Sequence, residues 1–158
     1  MAKVVGIGKQ RFDKIVENDC FYIDKTMFIK EWWENQDDVT LITRPRRFGK
    51  TLNMDMLKCF FSVEYKDRGD LFEGLDIWKE KKYREIQGTY PVIFMSFAEI
   101  KQNNYKDAVE KIKRIICDLC QQFDFLKDWD GLTEIEKKNI SDISYDMSDV
   151  MAQDLLKN

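Results

Sequence analysis

Gly49, Lys50 and Thr51 stand consecutively behind Arg44, Pro45, Arg46, Arg47 and Phe48, with Leu52 next. That grouping suits the holding of phosphate oxygens. In a loop of pattern G-x-x-x-x-G-K-[ST], backbone N–H groups cradle the phosphates, the lysine reaches the β and γ oxygens, and the hydroxyl takes one Mg²⁺ position. The second half of the pattern is present, whereas Arg44 stands in place of the first glycine and Pro45 follows it. Arg44, Arg46, Arg47 and Lys50 put four cations within seven residues, so the stretch is suited to an anion. A basic surface turn with no ligand is the alternative reading of the same residues.

Gly-Lys-Thr alone is a weak signal, and its surroundings raise its weight. Residues 39–43 are β-branched at four of five positions, Val39, Thr40, Ile42 and Thr43, and read as a strand. Residues 51–61 contain neither glycine nor proline and read as a mostly buried helix. Strand, loop and helix follow in the order a phosphate loop requires. A helix starting near Gly49 aims free N–H groups and the positive end of its dipole at the loop.

Three separated stretches, F-Y-I-D-K-T-M-F-I-K from Phe21, T-R-P-R-R-F-G-K-T-L-N-M-D-M-L-K-C-F-F from Thr43 and Y-P-V-I-F-M-S-F from Tyr90, resemble the amino-terminal part of the predicted AAA-ATPase-like family. That family is a bacterial and archaeal group of P-loop proteins often joined to a restriction-endonuclease-like domain. The resemblance runs from about Ile7 onward, and Arg44 and Pro45 match what the family shows at that place. It implies an α/β, P-loop NTPase-like fold with a parallel sheet flanked by helices. It also implies bound ATP with Mg²⁺, Thr51 serving the metal. Arg44, Pro45, Arg46, Arg47, Phe48, Gly49, Lys50, Thr51 and Leu52 would form the nucleotide site. Asp24, Lys25 and Thr26 are accessory candidates that either approach the nucleotide or, for Asp24, simply cap the following helix.

Phosphoryl transfer needs more than phosphate contacts, including an acidic residue that holds Mg²⁺ through water. The only other strand expected here, residues 92–97, is followed by Glu99, too late to be a convincing Walker B acid. The resemblance places the acidic strand beyond Asn158, so the expected domain is a partial one that stops before it. Its parts are a helical lead-in over 1–38, strand, loop and helix over 39–61, a second strand and helices over 62–131, and an acidic helical tail over 132–158. The function expected is therefore ATP binding with weak or no hydrolysis by this chain alone. The alternative is an interaction or regulatory protein that keeps the shape without the ligand and meets a partner, or itself, at an open sheet edge. Arg46 and Arg47 could touch a γ-phosphate, act on a neighbouring subunit, or pair with Asp24 or Glu99.

Composition bounds these readings. The 158 residues are 44% hydrophobic, enough for one core. A net charge of −3 with 35% charged residues argues against general nucleic-acid or acidic-membrane binding. No run reaches the roughly 20 apolar residues of a membrane span, and the first residues lack the apolar stretch of a signal peptide, so a cytoplasmic protein is expected. With no histidine the chain lacks the commonest general base. Of four cysteines, Cys117 and Cys120 form a C-x-x-C inside a helical apolar pattern and read as core thiols.

The remaining elements follow from spacing. Phe12, Ile15 and Val16 mark a short helix, and Phe28, Ile29, Trp32 and Trp33 line one face of another. Residues 79–85 read as a solvated helix with i, i+4 charge pairs. Val109, Ile112, Ile115, Ile116, Leu119 and Phe123 stripe the clearest amphipathic helix, and a frayed helix is expected from about Ser144.

Overall fold

Met56, Cys59 and Phe60 recur at i, i+3 and i+4, and all three are fully buried. They set the long helix of the first half of the chain. The computed structural model describes residues 3–128 and 130–155. The chain divides into two compact units, Met1–Val92 and Ile93–Asn158.

The first unit holds helices α1 (Phe12–Glu17), α2 (Met27–Asn35), α3 (Lys50–Phe61) and α4 (Lys81–Ile86), with short 3₁₀ turns at Val63–Tyr65, Gly69–Phe72 and Asp76–Lys79. Its core is aromatic. Phe12 stacks on Phe72 with ring centroids 5.1 Å apart, Phe60 meets Phe72 edge-on at 5.1 Å, and Trp33 stacks on Phe61 at 5.3 Å. Such pairs add roughly 0.5–1.5 kcal/mol each beyond the area they bury. Trp32 and Trp33 are partly buried against this cluster, which makes them core residues.

Helix α1 is only six residues long and its N-cap, Arg11, makes no side-chain cap bond. The orphan N–H of Phe12 is instead taken by the buried Asp55 carboxylate of α3, at 2.6 Å. Burial is the main influence on Asp55 and pushes its carboxyl up, the Phe12 N–H opposing it. The chain beyond α3 returns to its end through hydrogen bonds from Gly88 N to Phe60 O at 2.8 Å and from Tyr90 N to Phe61 O at 2.9 Å.

The second unit is built on α5 (Tyr105–Gln122), with α6 (Glu134–Ser141), α7 (Asp149–Leu155) and a 3₁₀ turn at Asp124–Asp128. Asn104 caps α5 by accepting the Asp107 N–H at 2.9 Å. Ile116 and Cys117 of α5 pack with Met147 and with Ala152 of α7. The seam thus lies about one residue round from the expected stripe. It also includes Lys113, buried and paired with Asp149 at 2.8 Å. Helix α6 starts at a reciprocal capping box between Thr133 and Glu136.

The expected α/β architecture with a parallel sheet is overturned. Among the described residues the only β pairing is two isolated bridges, Val4 with Cys20 and Ser62 with Tyr90. Residues 39–43 and 92–97, the two expected strands, form no ladder. Val39 and Leu41 are 86% and 82% exposed. A strand draws its stability from ladder bonds and cross-strand side-chain pairs. β-branched residues select extended backbone but cannot supply the neighbour.

Gly88 makes the closest approach among the described glycines. Its φ is +67°, and a Cβ there would lie 2.4 Å from Lys66 Cα. Gly88→Ala is expected to destabilise the protein by about 2–4 kcal/mol, from left-handed strain together with backbone overlap. Urea unfolding followed by tryptophan fluorescence measures this, and an unchanged midpoint would refute the close approach.

Candidate functional site

The loop of residues 44–49 is shaped by two left-handed residues, Arg47 at φ +70° and Gly49 at φ +74°. Nothing lies within 4 Å of a Cβ built on Gly49, so the backbone conformation, not space, makes glycine suitable there. A left-handed residue followed directly by a helical one turns successive N–H groups toward one side, the arrangement of an anion nest. Gly49 is the N-cap of α3 and offers no side-chain cap. The first helical bond runs from Asn53 N to Gly49 O at 2.9 Å. The N–H groups of Lys50, Thr51 and Leu52 therefore precede any intrahelical acceptor.

Lys50 folds back over this loop. Its Nζ donates to the carbonyl oxygens of Arg44 at 2.5 Å and Pro45 at 3.1 Å. The sequence pattern places this ammonium beside phosphate, and the structure holds it on the loop's own main chain. Pro45 contributes a carbonyl here and has no N–H to lose. Arg44, Arg46 and Arg47 are exposed and pair with no carboxylate among the described residues. Phe48 is 61% exposed. Thr51 is exposed, with its hydroxyl unengaged among the described residues. Mg²⁺ at a nucleotide usually keeps waters and phosphate oxygens beside one or two protein oxygens, and the Thr51 hydroxyl fits that limited demand. Among the described residues no three or more of His, Cys, Asp and Glu gather as a metal cluster.

The structure brings residues 44–52 into one loop and helix start, but ties the accessory candidates elsewhere. Asp24 Oδ1 accepts from Thr26 N at 2.8 Å and Thr26 Oγ1 at 2.7 Å, and its Oδ2 accepts from Asp76 N at 2.8 Å. Thr26 is fully buried and its hydroxyl also accepts from Ile77 N at 3.2 Å. These bonds fasten the entry of α2 to the turn at Asp76–Lys79. Lys25 remains exposed. Glu99 is exposed and pairs with Lys111 of α5 at 3.2 Å.

Residues 6–155 match the family described as predicted AAA-ATPase. The chain belongs to that family. A 115-residue stretch is also 33% identical to an uncharacterized protein in the vnfD 5′ region of Azotobacter chroococcum mcd 1. That match covers 72% of this chain and 21% of the relative, so the chain spans about a fifth of that protein's length. No solved structure matches. No helix among the described residues of this AAA-ATPase family member is long and apolar enough to cross a membrane.

Two features of the site's support escape a reading of the sequence. One is the carbonyl hold on Lys50, which no residue pattern announces. The other is Asp55, a carboxylate between Met54 and Met56 whose partner N–H lies 43 residues away. Its placement amid apolar neighbours was the available signal.

Asp24 makes the tie between α2 and the Asp76 turn dependent on pH. Burial, the largest influence, pushes its carboxyl up, but the hydrogen bonds from Thr26 and Asp76 N–H, with Lys79 nearby, bring it below the ordinary value of 3.8. A depressed carboxyl contributes stability that is present above pH 3.8 and lost as pH falls through its lower folded value. The stability difference between wild type and Asp24→Asn is expected to be constant near neutrality and to shrink below that point. Denaturant midpoints measured from neutrality down through the acid range would show it. A difference that grows on acidification would reverse the assignment.

Proposed function

We propose that this chain binds the phosphates of a nucleotide, ATP with Mg²⁺, at the loop and helix start formed by Arg44 to Leu52. The observation that carries the reading is the uncapped start of α3 behind Gly49, with the Lys50 ammonium held directly over the loop by two carbonyls. Family membership supports a nucleotide as the anion. Lys50 exchanges its carbonyl partners for β and γ oxygens, and the N–H groups of Lys50, Thr51 and Leu52 receive the phosphate. Arg46 and Arg47 add unpaired charge at the rim, and Thr51 supplies one oxygen to the metal. Lys25 is an accessory cation on this reading, while Asp24 and Thr26 support the fold beside it. Hydrolysis by this chain alone is slow, because Glu99 is engaged by Lys111 and no other acid is assigned to the water-positioning role.

Titration calorimetry with Mg-ATP on the folded chain, beside Lys50→Ala, tests this. The expected outcome is saturable binding by wild type and a loss of about tenfold or more in the variant, the scale of a charge-assisted phosphate contact. Equal affinities, or no binding by wild type, would overturn the proposal and leave the interaction role. The exposed, unpaired segment over residues 39–43 is the observation that favours that second role.

A further inference from the structure

Lys9 and Cys20 belong to neither the aromatic core nor the phosphate loop. The Lys9 ammonium donates to Cys20 Sγ at 3.3 Å and to Lys14 O at 3.5 Å, with no carboxylate holding it among the described residues. Lys9 is exposed and Cys20 is buried. Main-chain bonds fix both partners: Cys20 N donates to Ile15 O at 3.0 Å, Phe21 N to Val4 O at 2.8 Å and Lys9 N to Gly6 O at 3.2 Å. Gly6 leaves the room in which they meet, since a Cβ there would stand 3.0 Å from Lys9 Cδ and 3.3 Å from Cys20 Sγ. A cavity of about 340 Å³ lined by Lys9, Gln10, Arg11, Lys14 and Asn18 opens beside the pair. A water takes about 30 Å³ of liquid, so a small oxidant fits there easily. Cys59 is placed differently, fully buried with Asp55 Oδ2 at 3.8 Å from its sulfur.

We propose that Lys9 and Cys20 form a redox modification site, at which a peroxide joins Lys9 Nζ to Cys20 Sγ by a covalent bond that thiols reverse. Hydrogen peroxide takes the thiol to a sulfenic acid and is itself reduced to water. The Lys9 nitrogen, having released a proton to solvent, then attacks that sulfur. The N–S bond forms as the S–O bond breaks, and the oxygen departs as a second water carrying one further proton from the nitrogen. The sulfur loses two electrons and the peroxide gains them, so no other reactant is needed. A sulfenic acid condenses with whichever nucleophile is nearest, and a separation of 3.3 Å is that of a near-attack pair. Two molecules of a small thiol restore both side chains and become a disulfide themselves. The bond closes residues 9–20 into a ring that contains α1 and so limits the freedom of the unfolded chain around that helix.

The test is treatment of the folded full chain with dilute hydrogen peroxide, then alkylation of free thiols, tryptic digestion and mass spectrometry. Lys9→Arg, which keeps the charge, and Cys20→Ser are carried alongside, and circular dichroism confirms that each is folded. Wild type is expected to yield residues 4–11 joined to residues 15–25, because a linked Lys9 is no longer a tryptic site. The joined pair weighs two hydrogens less than its parts. If a second peroxide inserts one oxygen between the same atoms and releases water, the pair is heavier by that oxygen and supports the proposal equally. The pair should disappear in both variants and after treatment with a small thiol. Cys20 recovered only as free thiol or as sulfinic or sulfonic acid would overturn the proposal. A link from Cys20 to another lysine, or one that thiols do not reverse, would overturn it as well. The result is independent of whether the loop binds ATP, since neither residue belongs to it.

Discussion

The two ends of helix α3 answer opposite demands, and most of the first unit depends on reconciling them. Its last turns are held in a dry aromatic pack, where Met56, Cys59, Phe60 and Phe61 meet α1, α2 and the turn around Phe72. Its first turn is left open, with no cap and a lysine folded over it. Close packing at one end removes the freedom that the other end would otherwise have, since protein interiors are dense and transmit displacement. Asp55 sits between the two regions and ties α1 to the same helix by a buried charge-assisted bond. The burial that pushes its carboxyl up shows that this tie is made against a desolvation cost. Cys59, one turn further on, has its thiol pushed up to about 12, chiefly by burial, and is correspondingly inert.

Much of the helical framework was legible. The i, i+3, i+4 spacing of Met56, Cys59 and Phe60 reads directly as a buried helix, and Gly49 falls at its start as the phosphate-loop pattern requires. Helix α5 was legible in extent but not in rotation. Lys113 lies outside the apolar stripe, yet Asp149 gives it a partner and lets its stem lie in the seam. Helix α6 lies within the expected acidic helical tail, but its separate start was not read, although Thr133 and Glu136 stand in capping-box spacing. The low apolar content after Leu132 outweighed that local signal.

The sheet was misread for a different reason. Period and β-branching describe what one segment prefers, and residues 39–43 carry that preference clearly. A ladder is a property of two segments, and the neighbour is a non-local fact that no window of sequence contains. The same distinction separates the parts of the site. Residues 44–52 are contiguous and were found together, whereas the fate of Asp24 and Thr26 turned on Asp76 and Ile77, about fifty residues away. Their hydroxyl and carboxylate chemistry suits either a ligand or a turn, and the hydrogen bonds they make belong to a turn.

The aromatic pack also gives the protein an internal optical probe. Trp33 stacks on Phe61, the last residue of α3, and lies 5.3 Å from Tyr90 by ring centroid, with Trp32 at 5.5 Å from Phe61. The opposite end of this twelve-residue helix is Lys50, about 16.5 Å away at 1.5 Å per residue. The rings of Trp33 and Phe61 overlap at the closed end of that rod. Indole emission depends on such overlap and on the polarity around the ring. Repacking at this end of α3 thus has a native fluorescent readout without a dye.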